Sequence, residues 1–245
     1  MSRRALSLLV LSLVVAAVCV RLGFWQLARL GERRAHNAAV AARMREAPAS
    51  VDALPADTGL HHYRRVALVG VADYAREIVL VNRSRDGSPG VHIVTPVRVA
   101  GRDTAVLVSR GWVYSANGTD VDLARWREGD TVRVDGFVEL PSSRPGPARL
   151  SAARDVRAYR WLDATAVARE TGYPVTPYYV VWTPPPGEEK PPQDRPVRVP
   201  PPALDEGSHF SYAVQWFSFA TVALVGGATF VRADARRRSP RPLPV

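Results

Sequence analysis

Two apolar runs free of charge stand near the two ends of this chain, with a polar middle of about 180 residues between them. The first, Ala5 to Val20, follows Arg3 and Arg4. At 1.5 Å per helical residue it falls short of the ~30 Å hydrocarbon core of a bilayer. It becomes long enough if it continues to Trp25, with Arg21 reaching back to the headgroups and Trp25 at the interface. A cleaved signal peptide fits the same residues: a basic start, an apolar core, and Ala16-Ala17-Val18 as a weak small-residue site. Taken alone, the segment leaves both readings open.

The second run decides for spans. Phe210 to Val231 is 22 residues without formal charge, about 33 Å as a helix. Arg232, Arg236, Arg237, Arg238 and Arg241 follow it, and Asp205 and Glu206 precede it. Positive flanks stay cytoplasmic, so the C-terminus is expected inside and residue 208 outside. Arg3 and Arg4 place the N-terminus inside as well, against a counter-vote from Arg21, Arg29, Arg33 and Arg34. The expectation is a multi-pass protein of the cell membrane, with both termini cytoplasmic and the central domain extracytoplasmic.

The formal charge of +10 raises a nucleic-acid reading. The excess is almost all arginine, with Lys190 the single lysine, and it gathers at the chain ends as membrane flanks do. No nucleic-acid partner is expected. Cys19 is the sole cysteine, so an internal disulfide, a CxxC pair and thiol-based copper delivery within the chain are excluded. Val18, where a lipoprotein signal needs a small residue, argues against lipidation at Cys19.

Between the runs, residues 31–44 are rich in Ala and Arg and predict a helix continuing out of the first span, ended by Pro48 and Pro55. Short Val-rich strands follow at 64–70, 77–82, 91–99, 104–113, 131–139 and 178–182, with a hairpin turn at 100–103. Asp163 is placed to cap a short helix that stops at Gly172 and Pro174. Nine prolines in 184–202 predict a stiff, extended tether rather than a packed element. The predicted fold class is a membrane protein with two transmembrane helices flanking one mainly antiparallel β (α+β) extracytoplasmic domain. The expected parts are a first helix at 1–27, the β-rich domain at 28–183, the tether at 184–207, a second helix at 208–231 and a basic tail at 232–245.

No HExxH, GxSxG, phosphate loop or GxGxxG is present, and the carboxylates are scattered, so no enzyme is expected. His61-His62 reads as a solvated loop and His92 as a packed strand histidine. Three stretches carry unusual decoration. Residues 23–29 leave the first span with Trp25, Gln26 and Arg29. Arg110 and Trp112, two apart on a strand, are expected on one face, and an exposed arginine merely stacked over the indole is the plain structural alternative. At the start of the second run, Ser211, Gln215 and Ser218 form a polar stripe at i, i+4 and i+7, beside a face of His209, Tyr212 and Trp216. Polar side chains in lipid seek another helix or a ligand, so the stripe predicts contact with the first span or a foreign subunit.

These stretches together resemble the Surfeit locus protein 1 family of cytochrome c oxidase assembly factors. Gly23, Trp25 and Gln26 match its motif at the end of the first span. Asn82-Arg83 through Gly90, Thr95-Pro96 and Arg110-Gly111-Trp112-Val113 match its middle block. His209, Tyr212, Ala213, Gln215, Trp216 and Phe217 match its closing motif. Tyr114, Ser208 and a longer tether depart from the pattern. The resemblance implies a non-catalytic helper in the maturation of oxidase subunit I, with haem a as a transient ligand. It carries the haem-ligand position onto His209, with Tyr212 and Trp216 beside it, and leaves Trp25, Gln26, Arg29, Arg110, Trp112, Ser211, Gln215 and Ser218 as partner contacts. The alternative is a membrane-anchored extracytoplasmic ligand-binding or scaffold protein of another envelope complex. No metal site is expected.

Overall fold

The computed structural model describes residues 2–54, 58–141, 147–150, 157–188, 190 and 193–238. Pro55, Arg241 and parts of the proline-rich stretch lie outside them. The chain divides into two compact units, residues 40–203 and residues 1–39 with 204–245.

The unit of residues 40–203 is built on eight strands: β1 (Ala49–Ser50), β2 (Arg65–Ala72), β3 (Ile78–Arg85), β4 (Ser88–Arg98), β5 (Ala105–Tyr114), β6 (Thr131–Glu139), β7 (Arg157–Tyr159) and β8 (Val175–Trp182). Their order is β1-β2-β6-β8-β5-β4-β3-β7, and β2 also pairs with β4 through Val71↔Arg98 and Ala72↔Val97. That last pairing closes β2, β6, β8, β5 and β4 into a ring, which removes the open edges of those strands. Alternate residues point inward: Val66 and Leu68 from β2, Val132, Val134 and Val138 from β6, Val106 and Val108 from β5, and Val180 from β8 form one core. A second core lies outside the ring, under the helix of Ala164–Thr171, where Ile78, Leu80, Val94, Leu107 and Val167 meet.

The sheet is mixed rather than mainly antiparallel, which corrects the expectation. Short turns do give antiparallel partners, as in β3–β4 and β4–β5. The helix at 164–171 acts differently. Asp163 caps it by accepting from the Ala166 N–H at 3.0 Å, and Gly172 ends it in the left-handed region at φ 77°. The chain then re-enters as β8, which slots between β5 and β6 and runs parallel to β5. β1 and β7 add two more parallel pairs, on β2 and β3.

The proline-rich stretch also departs from expectation, because part of it is packed. Val197 exchanges two hydrogen bonds of 2.8 Å with Trp112, continuing the sheet beside β5 where β8 has ended, and Arg198 is buried. This strap lies so close that a Cβ on Gly111 would meet the Val197 carbonyl oxygen at 2.3 Å, and Gly111 itself has φ 136°. His61-His62 is not a solvated loop either: His61 is buried, and His62 Nε2 meets Glu139 at 2.8 Å.

In the other unit, α1 (Arg3–Arg45) and the C-terminal helix (His209–Arg238), α3 after α2 at 164–171, lie against each other. Both are long and apolar enough to cross a membrane. Their seam is made of small residues: Ala16, Cys19 and Ala220 are buried together, with Trp216 and Ala223 packed beside them. A Cβ on Gly227 would meet Ser12 at 2.8 Å, and one on Gly23 would meet the Phe217 ring at 2.7 Å. Glycine at both points lets the two helices pack closely. Away from the seam, Leu6, Val10, Leu11, Leu13, Val14, Val214, Val222 and Val225 are exposed.

Gly111→Ala is expected to lower stability by about 2 kcal/mol, through both the lost conformation and the blocked strap. Urea unfolding of the full chain should show it, with faster proteolysis inside 193–203. Unchanged stability would refute the close fit.

Candidate functional site

Two polar constellations stand out, one in each unit. In the helix pair, His209 opens α3 and Gln26 lies on α1. His209 Nδ1 meets Gln26 Oε1 at 2.9 Å. The amide oxygen can only accept, so Nδ1 carries the proton and Nε2 keeps its lone pair. His209 lines a cleft with Arg29, Glu32, Arg33, His36, Asp205 and Gly207. Arg29, Arg33 and His36 follow Gln26 at three, seven and ten residues, one face of α1.

Acidic residues before α3 hold the same end of the pair. Arg34 forms a two-pronged bridge to Glu206 at 2.8 Å for each oxygen, Arg33 lies 3.7 Å from Asp205, and the Asn37 amide donates to the Asp205 carbonyl at 2.8 Å. The Arg34 bond holds the Glu206 carboxyl below its usual range. At the opposite end, the Ser2 backbone N–H and hydroxyl donate to Asp234 at 3.0 Å. The sequence showed Asp205 and Glu206 only as an acidic flank; their partners across the seam could have been sought in Arg33 and Arg34.

The other expected residues of this unit separate into two groups. Trp216 joins His209 in the seam, its ring 5.9 Å from Phe219 in an edge-on arrangement. Tyr212 and Trp25 are exposed, and Arg29 pairs with Glu32. Ser211, Gln215 and Ser218 do not face α1; all three are exposed. The Ser218 hydroxyl donates to the Val214 carbonyl one turn back at 2.9 Å, whereas Gln215 finds no partner among the described residues.

The second constellation lies inside the β unit. Arg110 does not share a face with Trp112 or stack on it. β5 carries a bulge there, because Ile93 pairs with Gly111 and Val94 with Ser109, leaving Arg110 as the extra residue. Its guanidinium turns inward at 1 % exposure and donates to Glu77 at 2.6 Å and to Glu128 at 2.9 and 3.1 Å. Its ring partner is Tyr74, at 5.2 Å. Arg198 of the strap completes the network, bonded to Glu128 and to the Arg110 carbonyl and stacked on Trp182 at 3.6 Å. Burial pushes the Glu77 carboxyl up against the opposing pull of Arg110, and Thr95 donates to it. Trp112 instead donates its indole N–H to the Arg83 carbonyl at 3.0 Å. Glu77, Glu128 and Arg198 gave no sequence signal, since nothing distinguishes a buried carboxylate beside a strand from an exposed one.

Among the described residues, no cluster of three or more His, Cys, Asp or Glu could hold a metal ion. What the helix-pair site offers is one imidazole, its Nδ1 held by the Gln26 amide oxygen, with guanidinium groups beside it.

Comparison with known proteins agrees over most of the chain. The model of the SURF1 family matches residues 13–221. A SURF1-like protein of Monosiga brevicollis is 26 % identical over 226 residues, covering 86 % of this chain and 83 % of its own length. A SURF1-like protein of Rickettsia felis is 25 % identical over 223 residues, covering 87 % of this chain and 92 % of its own.

Removing one charge of the buried network leaves guanidinium groups without a counter-ion, which typically costs about 3 kcal/mol or more. Glu128→Gln is therefore expected to destabilise the full chain by about that much in denaturant unfolding. A change below 0.5 kcal/mol would show the network to be dispensable.

Proposed function

The chain belongs to the SURF1 family, which is linked to cytochrome c oxidase assembly, and on that premise we propose that it is a non-catalytic, membrane-anchored factor for subunit I maturation that holds haem a on His209. The observation that carries the haem part is the His209–Gln26 bond of 2.9 Å. A metal-ligating histidine needs its second nitrogen fixed by an acceptor, and Gln26 supplies one. The residues present fit such a group: Nε2 is the free nitrogen, and Arg29 and Arg33 line the same cleft. If held here, haem a would supply an iron for the free imidazole nitrogen of His209 and two carboxylates for the neighbouring guanidinium groups. Gln26 sets the imidazole's tautomer and angle. Trp216 and the small-residue seam fix the rotation of α3, and with it the direction of His209. A single protein ligand suits a holder that must release its cargo.

The exposed apolar sides of both helices support anchoring in the cell membrane. Arg232 and Arg236–Arg238 at one end of α3, with Asp205 and Glu206 before the other, support cytoplasmic termini and an extracytoplasmic β domain. The outward Gln215, with Ser211 and Ser218 beside it, supports docking of this face on an oxidase helix, because a lone amide in hydrocarbon gains from a partner.

Deleting the gene is expected to lower cytochrome aa3 absorbance and oxidase activity while other respiratory enzymes stay intact. Unchanged oxidase would refute the assembly role. A periplasm-dependent reporter fused after Val245 is expected to stay inactive; activity there overturns the topology. Protein purified in detergent from cells that make haem a should carry its spectrum. His209→Ala should lose it, and Gln26→Leu should weaken retention about tenfold. Wild-type protein without haem would remove the haem role and leave the assembly role standing.

A further inference from the structure

Far along the sequence from His209, three neighbouring strands turn polar groups without partners into one pocket. It lies on the outer face of the β ring and has a volume of about 230 Å³. Register builds its floor: Phe137 of β6 is directly opposite Val181 of β8, and Val181 is directly opposite Ser109 of β5. The next row sets Glu139 opposite Tyr179. His92 of β4 adds a ring, and Val199, Pro200 and Pro202 of the strap supply a wall.

The polar groups here are the unusual part. Ser109 is 1 % exposed, yet its hydroxyl has no hydrogen-bond partner among the described residues. The His92 imidazole and the Tyr179 hydroxyl, both half-buried, likewise make no hydrogen bond among the described residues. Burying a hydroxyl without a partner costs roughly 1–3 kcal/mol, so such groups are rare in a settled core. Converging on one cavity, they read as groups waiting for a ligand's atoms. Burial, with Arg83 nearby, lowers the His92 pKa to about 4, so its imidazole is neutral near pH 7 and offers one donor and one acceptor.

The remaining walls define what fits. Tyr63 takes a left-handed φ of 66°, rare for an aromatic residue, and is stacked on His62 at 3.7 Å and tilted 6.1 Å from Phe137. With Tyr179 it gives the pocket three aromatic rings. Glu139 is already engaged by His62 at 2.8 Å and by the Leu140 N–H at 2.9 Å. Both bonds fall on Oε1, and the charge of Glu139 disfavours an anion. A cavity of about 150 Å³ accepts benzene, so this one has room for a single substituted ring.

We propose that this pocket binds a neutral six-membered ring bearing oxygen, a phenol or a benzoquinone, with the oxygen bonded by His92 and Ser109 and the ring held by Phe137 and Tyr179. Both imidazole and hydroxyl can donate or accept, so a quinone carbonyl and a phenol O–H are equally served. The site is independent of the haem reading.

The test uses the full chain in lipid nanodiscs, with empty nanodiscs as the partition control. His92 ring resonances are followed by NMR as p-cresol, duroquinone or toluene is added. At least one oxygen-bearing ring is expected to bind saturably, about tenfold more tightly than toluene. Ser109→Ala removes a single oxygen from the pocket, and it is expected to erase most of that preference while leaving toluene binding within twofold. His92→Leu should act in the same direction, read then from Tyr179 resonances. Binding of p-cresol alone assigns a phenol and of duroquinone alone a quinone; either supports the proposal. No saturable shift with either ring, equal affinity for p-cresol, duroquinone and toluene, or a preference that survives Ser109→Ala overturns it.

Discussion

The buried meeting of Arg110, Glu77, Glu128 and Arg198 is the contact on which the β unit most depends. It gathers groups from the start of β3, the middle of β5, the loop before β6 and the strap after β8. Each charge has lost water, and each has gained an opposite charge with hydrogen-bond geometry. The sum of such terms is small, but the loss of any one member is large, because the survivors cannot be rehydrated. The arrangement therefore acts more as a selector of one packing than as a source of net stability. Tyr74 shows the same economy of placement: its ring lies on Arg110 while its hydroxyl donates to the Gly129 carbonyl and accepts from the Glu128 N–H.

The helix pair solves a different problem. Its seam has few large side chains, so specificity cannot come from interlocking bulk. It comes instead from Ser12 meeting Gly227, from the Phe217 ring seated on Gly23, and from polar contacts placed beyond the apolar stretch at both ends. Those end contacts fix the register of α1 against α3, and register is what brings Gln26 level with His209. One helical turn of slip would move them about 5.4 Å apart and leave both without a partner. The tautomer of one imidazole is in this way tied to the salt links of Arg33 and Arg34, about two turns along α1, with Asp205 and Glu206 just before α3.

Local features were legible in the sequence where local chemistry decides them. The strand at 131–139 could be read to the residue from its alternation, and the helix of 164–171 from its Asp163 cap and Gly172 stop. The place of β8 between β5 and β6 could not, because nothing in its residues says which neighbours it will choose. Arg110 illustrates the finer limit. Its spacing from Trp112 implied a shared face, but a single extra residue in the ladder reversed it. The strap was hidden for a related reason: proline content describes the stiffness of a segment and says nothing about the arginine within it. At the helix pair, the polar residues of α3 could be identified from sequence, but not which of them turn toward α1. That division depends on where the small residues fall, and it sends His209 and Trp216 inward and Gln215 outward.

Three consecutive functions share a very short piece of backbone. Val197 extends the sheet at Trp112, Arg198 closes the ion network, and Val199 and Pro200 wall the aromatic pocket. These are neighbours in the chain, so none can leave its place without loosening the others. Linkage then acts in both directions. Whatever fills the pocket tightens the ion network by the same free energy with which the network prepares the pocket. A ligand measured against a loosened strap would have its affinity scaled down by the fraction of molecules in which the strap is docked. The β unit thus holds a built-in thermodynamic coupling between a buried ion network and an aromatic pocket.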